Sequence, residues 1–219
     1  MYTYSVSHVE NAQPHASPAP TANAAVSSAP LLSADHLAFL AARGISPDLS
    51  ASAELYSVDP QQASELLGDT VASWGIAVAC WISDASGLGH REICCVRLDH
   101  VAPGEAHCAR PRGRPRPTYL PTVVTRETWR DPTAELVVVD SPIAALALAA
   151  AGIAALDIGD DGAPSVEWRG RRATLLYSGR RAWNADVALR EVRVARDLLG
   201  RGAKVLVAEL PTLERGGAL

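Results

Sequence analysis

The chain has 219 residues, 48% of them hydrophobic, which suits one well-buried domain plus a tail, or at most two small domains. Its formal net charge of −4 excludes a global electrostatic drive toward nucleic acid, so any such affinity must reside in a local basic patch. No run reaches the ~18 apolar residues that span a bilayer, and the nearest approach, residues 137–156, is broken by Asp140, Pro142 and Gly152.

Residues 1–30 are rich in Ala, Pro, Ser and Asn and are expected to form a disordered tail. They lack the basic start and apolar core of a signal peptide, so a cytoplasmic protein without membrane contact is expected. Order is expected from Ser33, which can cap a helix through Leu37, Leu40 and Ala41, with Gly44 as its stop. A second helix is marked by Asp59 as N-cap, Pro60 at N1 and Gln62 at N3, the pattern of a capping box. Leu66 and Leu67 give it an apolar face, and Gly68 ends it.

Two apolar runs, 75–82 and 92–98, flank the turn-rich connector 83–89 and read as a β-hairpin. The four cysteines, Cys80, Cys94, Cys95 and Cys108, contain no CxxC pair and read as reduced core thiols. Cys94 and Cys95 adjoin on a strand, so they are expected to point to opposite faces. His100, His107 and Cys108, with Asp99, offer metal-ligating atoms at a spacing that fits no known template. Residues 101–118 are a Pro/Arg/Gly-rich loop, and a short extended piece at 118–120 leads on toward Trp129.

From Glu135 the rhythm becomes β-α-β. The spacing predicts a strand over 135–139, a helix over 142–151 with Pro142 at N1 and Gly152 at C′, and strands at 153–156 and 173–177. An amphipathic helix follows from 184 or 185 to 199, with Val187, Leu189, Val192, Ala195 and Leu199 as its core candidates. A last strand, 203–210, stops at Pro211. Such alternation argues for a parallel sheet with right-handed crossovers. The expected organisation is a disordered tail over 1–30 and an α+β subdomain with a β-hairpin over 31–130, which contains the basic loop 110–117. An α/β domain over 131–211 and a disordered C-terminus over 212–219 complete it.

In an open α/β sheet, ligands bind beyond the carboxyl ends of the strands, where Asp140 and Ser178 fall. A strand ending in an acid, then a helix and further strands, resembles the TOPRIM fold of topoisomerases, bacterial-type primases and some nucleases. Over residues 31–211 the chain resembles a TOPRIM-like domain-of-unknown-function family of plasmid, phage and mobile-element replication proteins. The resemblance is carried by Leu32-Ser33-Ala34-Asp35-His36-Leu37, Arg43-Gly44-Ile45-Ser46, Cys95-Val96-Arg97-Leu98-Asp99 and Thr118-Tyr119-Leu120-Pro121. It continues through Asn184, Val187, Arg201-Gly202-Ala203-Lys204-Val205 and Leu210-Pro211.

The resemblance implies a Rossmann-like TOPRIM core, a parallel sheet with flanking helices. It also implies carboxylates that hold Mg2+ or Mn2+ for phosphoryl transfer. Here Asp140-Ser141 stands in place of the family's Glu-Gly, and Ala144 in place of a later polar residue. Ser178-Gly179-Arg180 replaces its Asp-x-Asp, and the closing Lys-Gly-x-Asp-Asp is absent. Asn184 keeps its place. Asp140 alone supplies a ligand, and Arg180 puts positive charge where the cation would sit.

Three outcomes are open for that site. Arg180 and Arg181, with Asn184, replace the metal and hold a phosphate directly. Alternatively the site has decayed and the arginines are merely solvated. In the third, Asp157, Asp160 or Asp161 supplies a replacement ligand. Trp183, beside the arginines, is the candidate for base stacking.

A second candidate is Pro111-Arg112-Gly113-Arg114-Pro115, flanked by Arg110 and Arg116, which resembles the core of an AT-hook. There an extended Arg-Gly-Arg follows the narrow minor groove of A·T-rich DNA. The plainer reading is a basic surface loop. Together these features suggest a catalytically degenerate accessory protein of mobile-element DNA replication, without a cofactor, binding DNA or a replication partner. The alternatives are an active Mg2+- or Mn2+-dependent primase or nuclease using Asp140 and the 157–161 turn, and an interaction module or inhibitor that binds no nucleic acid.

Overall fold

The computed structural model describes residues 31–83, 89–102, 107–160, 162–163, 165–177 and 185–208. The first helix, α1 (Ala34–Ala41), is capped by Ser33 as the sequence suggests. A short helix, α2 (Pro47–Ser52), follows, with Ser46 as N-cap and Pro47 at its start. Strand β1 (Tyr56–Val58) leads into α3 (Pro60–Leu67), where the capping box is complete. Asp59 Oδ1 accepts the Gln62 N–H at 2.8 Å, and Gln62 Oε1 accepts the Asp59 N–H at 3.1 Å.

The hairpin forms from β2 (Gly75–Ser83) and β3 (Gly89–Leu98), and β4 (Cys108–Ala109) adds to its far side. These make an antiparallel sheet in the order β1-β2-β3-β4. Its register slips once: Val78 faces Cys95, whereas Ala79 faces Ile93. Cys94 is the extra residue of a β-bulge, and one added residue reverses the alternation of faces. Cys94 and Cys95 therefore share one core with Cys80, which corrects the expectation that they point apart.

Helix α4 (Arg126–Arg130) precedes the second sheet. Strands β5 (Leu136–Val139), β6 (Ala155–Asp157), β7 (Arg172–Leu176) and β8 (Lys204–Val207) are parallel, in the order β6-β5-β7-β8. Helix α5 (Pro142–Ala150) joins β5 to β6, and α6 (Ala185–Gly200) joins β7 to β8. The protein is thus mixed α/β, with one parallel and one antiparallel four-stranded sheet. Among the described residues, no helix is long and apolar enough to cross a membrane.

Two cores flank the parallel sheet. Val139 on one face packs with Ile143 and Leu146 of α5 and with Ile76, Val78 and Tyr119, so the two sheets share this core. On the other face, Val138, Leu156 and Leu175 pack with Trp129, Trp168, Val194 and Leu198. Helix α6 packs Val187 and Ala195 against this core as expected, but the rest of its inward face differs. It buries Glu191, Val194 and Leu198, whereas Leu189, Val192 and Leu199 are exposed. The apolar pattern passed over Glu191, a polar residue that lies on the inward stripe.

One long-range connection shapes the end of the parallel sheet. The segment 116–119 runs antiparallel beside the exit of β6. Tyr119 and Asp157 exchange backbone hydrogen bonds of 2.9 and 3.1 Å, and the Asp160 N–H donates to the Arg116 carbonyl at 2.7 Å. Gly159 is required there, because a Cβ would overlap the backbone of Arg116 and Pro117.

Candidate functional site at the strand ends

The carboxyl ends of β5, β6 and β7 hold a cluster of charges, as ligand-site geometry in open α/β sheets leads one to expect. Its centre is Asp157, the last residue of β6, which is 2% exposed. Asp157 Oδ1 accepts a close contact from Arg116 Nη2 and a 3.0 Å hydrogen bond from Arg190 Nη2. Arg190, on α6, also donates to the Ile158 carbonyl at 2.8 Å and lies over the Tyr177 ring. Arg116 Nη2 approaches the Asp140 carbonyl at 3.4 Å, and the Arg116 backbone N–H donates to Asp160 Oδ2 at 2.7 Å.

Burial, assisted by nearby Arg110, lowers the Arg116 pKa to about 10, so its guanidinium remains charged at neutral pH. Burial pushes the Tyr177 phenol well above its ordinary range. Its hydroxyl and Arg116 Nη1 are both buried and have no hydrogen-bond partner among the described residues.

The expected site residues are distributed unevenly about this centre. Asp140 follows β5, and Asp160 serves the Arg116 backbone. Asp161, Ser178, Arg180, Arg181, Trp183 and Asn184 lie outside the described residues. Among the described residues, Arg116, Asp157 and Arg190 meet at the strand ends. Only a pairing across 41 positions joins the first two, and no local signal carries such a distance.

The described residues do not fit a divalent cation. The carboxylate best placed for one, Asp157, is clamped by two guanidiniums whose charge would repel a metal. Among the described residues, no group of three or more His, Cys, Asp or Glu side chains is arranged to hold a metal. The residues near Cys108 are otherwise engaged. His107 Nδ1 lies 3.1 Å from the Leu98 carbonyl, Asp99 pairs with His36 and Arg97, and Cys108 Sγ lies 3.6 Å from Ser141 Oγ.

The Arg-Gly-Arg loop is not an extended ribbon. Gly113 has a φ of +72° in a turn, and the Arg112 N–H donates to the Leu67 carbonyl at 2.8 Å. Arg114 pairs with Glu92 at 2.9 Å. Arg112 and Arg114 remain on the surface, whereas Arg116 turns inward, which removes it from the expected DNA-contacting set.

A second polar network ties α1 to the antiparallel sheet. The Ser33 N–H donates to Ser57 Oγ at 2.7 Å, and Ser57 Oγ lies 2.6 Å from His36 Nδ1. His36 Nε2 lies 3.0 Å from Asp99 Oδ2, whose other oxygen accepts from Arg97 at 2.9 Å. The composition is that of a Ser-His-Asp triad. The roles differ, because His36 is only 4% exposed and the hydroxyl also caps a backbone N–H. The network accounts for Ser33, His36 and Asp99 as structural residues.

The buried thiols titrate upward. Cys94 is pushed up by its hydrogen bond to Cys80, and Cys108 by its hydrogen bond to Cys95, with burial adding to both. Cys95 feels an opposing pull from Cys108, but Cys94 and burial outweigh it. Unfolding returns these thiols to the ordinary value of 9.0 and the phenols of Tyr119 and Tyr177 to 10.0. Above those values the unfolded chain holds fewer protons than the folded one, so stability falls as pH rises. Urea midpoints are expected to be flat through neutral pH and to decline from about pH 9, and a midpoint unchanged at pH 10.5 would show that these groups are hydrated in the native state.

Fold and site together define a mixed α/β protein whose parallel-sheet ligand position is filled by a buried carboxylate between two arginines. No family model matches the chain, and no curated protein or solved structure matches it.

Proposed function

We propose that this protein is a non-catalytic, TOPRIM-like accessory factor of mobile-element DNA replication that binds DNA. The parallel sheet is then the remnant of a Rossmann-like TOPRIM core. The observation that best supports a non-catalytic reading is the Arg116–Asp157–Arg190 cluster, which puts positive charge where a phosphoryl-transfer enzyme needs metal-holding carboxylates. Support for DNA as the ligand comes from Arg110, Arg112 and Arg114, exposed on one loop of an otherwise acidic protein. Their exposure suits contacts to phosphates rather than base readout.

Titration with Mg2+ or Mn2+ is expected to give no saturable binding, and incubation with DNA neither cleavage nor primer synthesis. A gel shift with A·T-rich duplex is expected at low salt. Arg112→Ala/Arg114→Ala should weaken it and lower the salt slope by about 2. Metal-dependent activity abolished by Asp140→Ala would overturn the non-catalytic reading.

A second reading is favoured by the exposed Leu206 and Val207 on edge strand β8 and by Leu189, Val192 and Leu199 on α6. Such apolar surface suits a protein partner. An absent DNA shift at low salt would favour that reading.

A further inference from the structure

Three features converge at the start of α5. Its N-cap, Ser141, makes no side-chain capping bond. Pro142 at N1 has no N–H, the N–H groups of Ile143 and Ala144 receive no cap from the Ser141 side chain, and the helix dipole adds positive potential there. Arg116 is the second feature. Its side chain is 4% exposed, Nη2 is committed to Asp157, and Nη1 has no acceptor among the described residues. A buried guanidinium N–H left unpaired is costly, and native folds seldom keep one without a reason.

The third feature is a small cavity with Arg110, Arg116, Asp157, Cys108 and Pro142, the first residue of α5, on its wall. Its enclosed space is that of about one water molecule, so it admits a single oxygen atom. Asp157 opposes an anion, but its Oδ1 already accepts from two guanidiniums. Cys108, whose thiol is pushed upward by its hydrogen bond to Cys95 and by burial, is neutral at neutral pH, and Arg110 stands exposed at the rim.

We infer that this is an oxyanion site for a phosphate group. The group sits at the mouth with one oxygen inserted. That oxygen accepts from Arg116 Nη1 and lies at the positive end of the α5 dipole, where the wall residue Pro142 has no N–H to donate. The remaining oxygens face Arg110 and solvent. A tetrahedral dianion suits the geometry better than a planar carboxylate, because it projects one oxygen inward while presenting others to the rim. This site does not require the protein to be a replication factor or to descend from TOPRIM enzymes. Two sources share the chemistry: free inorganic phosphate and the 5′-phosphate of a nucleic-acid strand.

The test is calorimetric titration of the full chain with inorganic phosphate at constant ionic strength, alongside thermal unfolding. Saturable binding is expected, with a rise in melting temperature. Ser141→Asp places a carboxylate on the helix cap, so it should keep or raise the melting temperature while weakening phosphate about tenfold or more. Arg110→Ala, at an exposed position, should weaken phosphate by up to about tenfold without loss of stability. Oligonucleotides with a 5′-phosphate or a 5′-hydroxyl then separate the sources. Tighter binding of the phosphorylated strand, competed by inorganic phosphate, supports the strand end. Equal binding of both strands, with phosphate binding retained, supports the free ion. No saturable phosphate binding, or binding unchanged in both Ser141→Asp and Arg110→Ala, overturns the site and leaves the cavity to a water.

Discussion

Asp157→Ala is expected to destabilise the fold by about 3–5 kcal/mol, the cost of breaking a buried ion pair from one side. The carboxylate is 2% exposed and accepts from both Arg116 and Arg190. Its removal leaves the Arg116 guanidinium, also buried, with a charge that nothing nearby balances as closely. Small domains have only about 5–15 kcal/mol of stability in total, so the loss is a large share. Urea unfolding followed by tryptophan fluorescence measures it.

Arg116→Met/Asp157→Leu is expected to recover most of that loss, because removing both charges also removes their desolvation cost. A loss below about 1 kcal/mol in Asp157→Ala would have a functional meaning as well. It would show a hydrated carboxylate, available to a cation, and would reopen the metal-dependent alternative.

What could be read from the sequence follows the range of each interaction. The α3 capping box, the hairpin and the β-α-β rhythm rest on residues within a few positions of one another, and each has its expected place in the structure. Helix α2 carried a cap-and-proline signal at Ser46-Pro47, but its 6 residues are too short for a visible apolar period. Strands β1 and β4, of 3 and 2 residues, exist through pairing with their neighbours rather than through their own pattern. The bulge at Cys94 depends on how two strands align, and the rest of the inward face of α6 on a buried glutamate that apolar counting ignores.

The candidate site follows the same rule. The placing of Asp140 just beyond a strand end was legible, because it belongs to a local strand-then-helix signature. The inward turn of Arg116 was not. Prolines and neighbouring arginines made its segment look like a surface ribbon. Pairing with β6 through Tyr119 and Asp157 brings this arginine under the sheet's end.

A second large effect is expected at Arg171, a residue with no part in the strand-end cluster. Arg171 is 0% exposed and immediately precedes β7. Its guanidinium donates to the carbonyls of Thr128 at 3.2 Å and Trp129 at 3.1 Å, and closely to that of Asp131. These are the last carbonyls of α4 and its C-cap, groups that a helix of 5 residues cannot satisfy internally. A cation there also complements the negative end of the helix. Arg171 therefore holds α4 on the sheet and keeps Trp129 in the core it shares with Leu175 and Leu198.

Arg171→Met preserves volume but leaves three carbonyls without this donor, and each lost charge-assisted bond is worth about 1.5–3 kcal/mol. Relaxation and entering water reduce the sum, so a net loss of about 3–5 kcal/mol is expected, with Trp129 fluorescence shifting toward that of an exposed indole. Arg171→Lys keeps the charge but not the fork that spans three acceptors, and should recover less than half of the loss. Equal stability of Arg171→Lys and the parent protein would show that charge alone, not the fork, fixes α4 to the sheet.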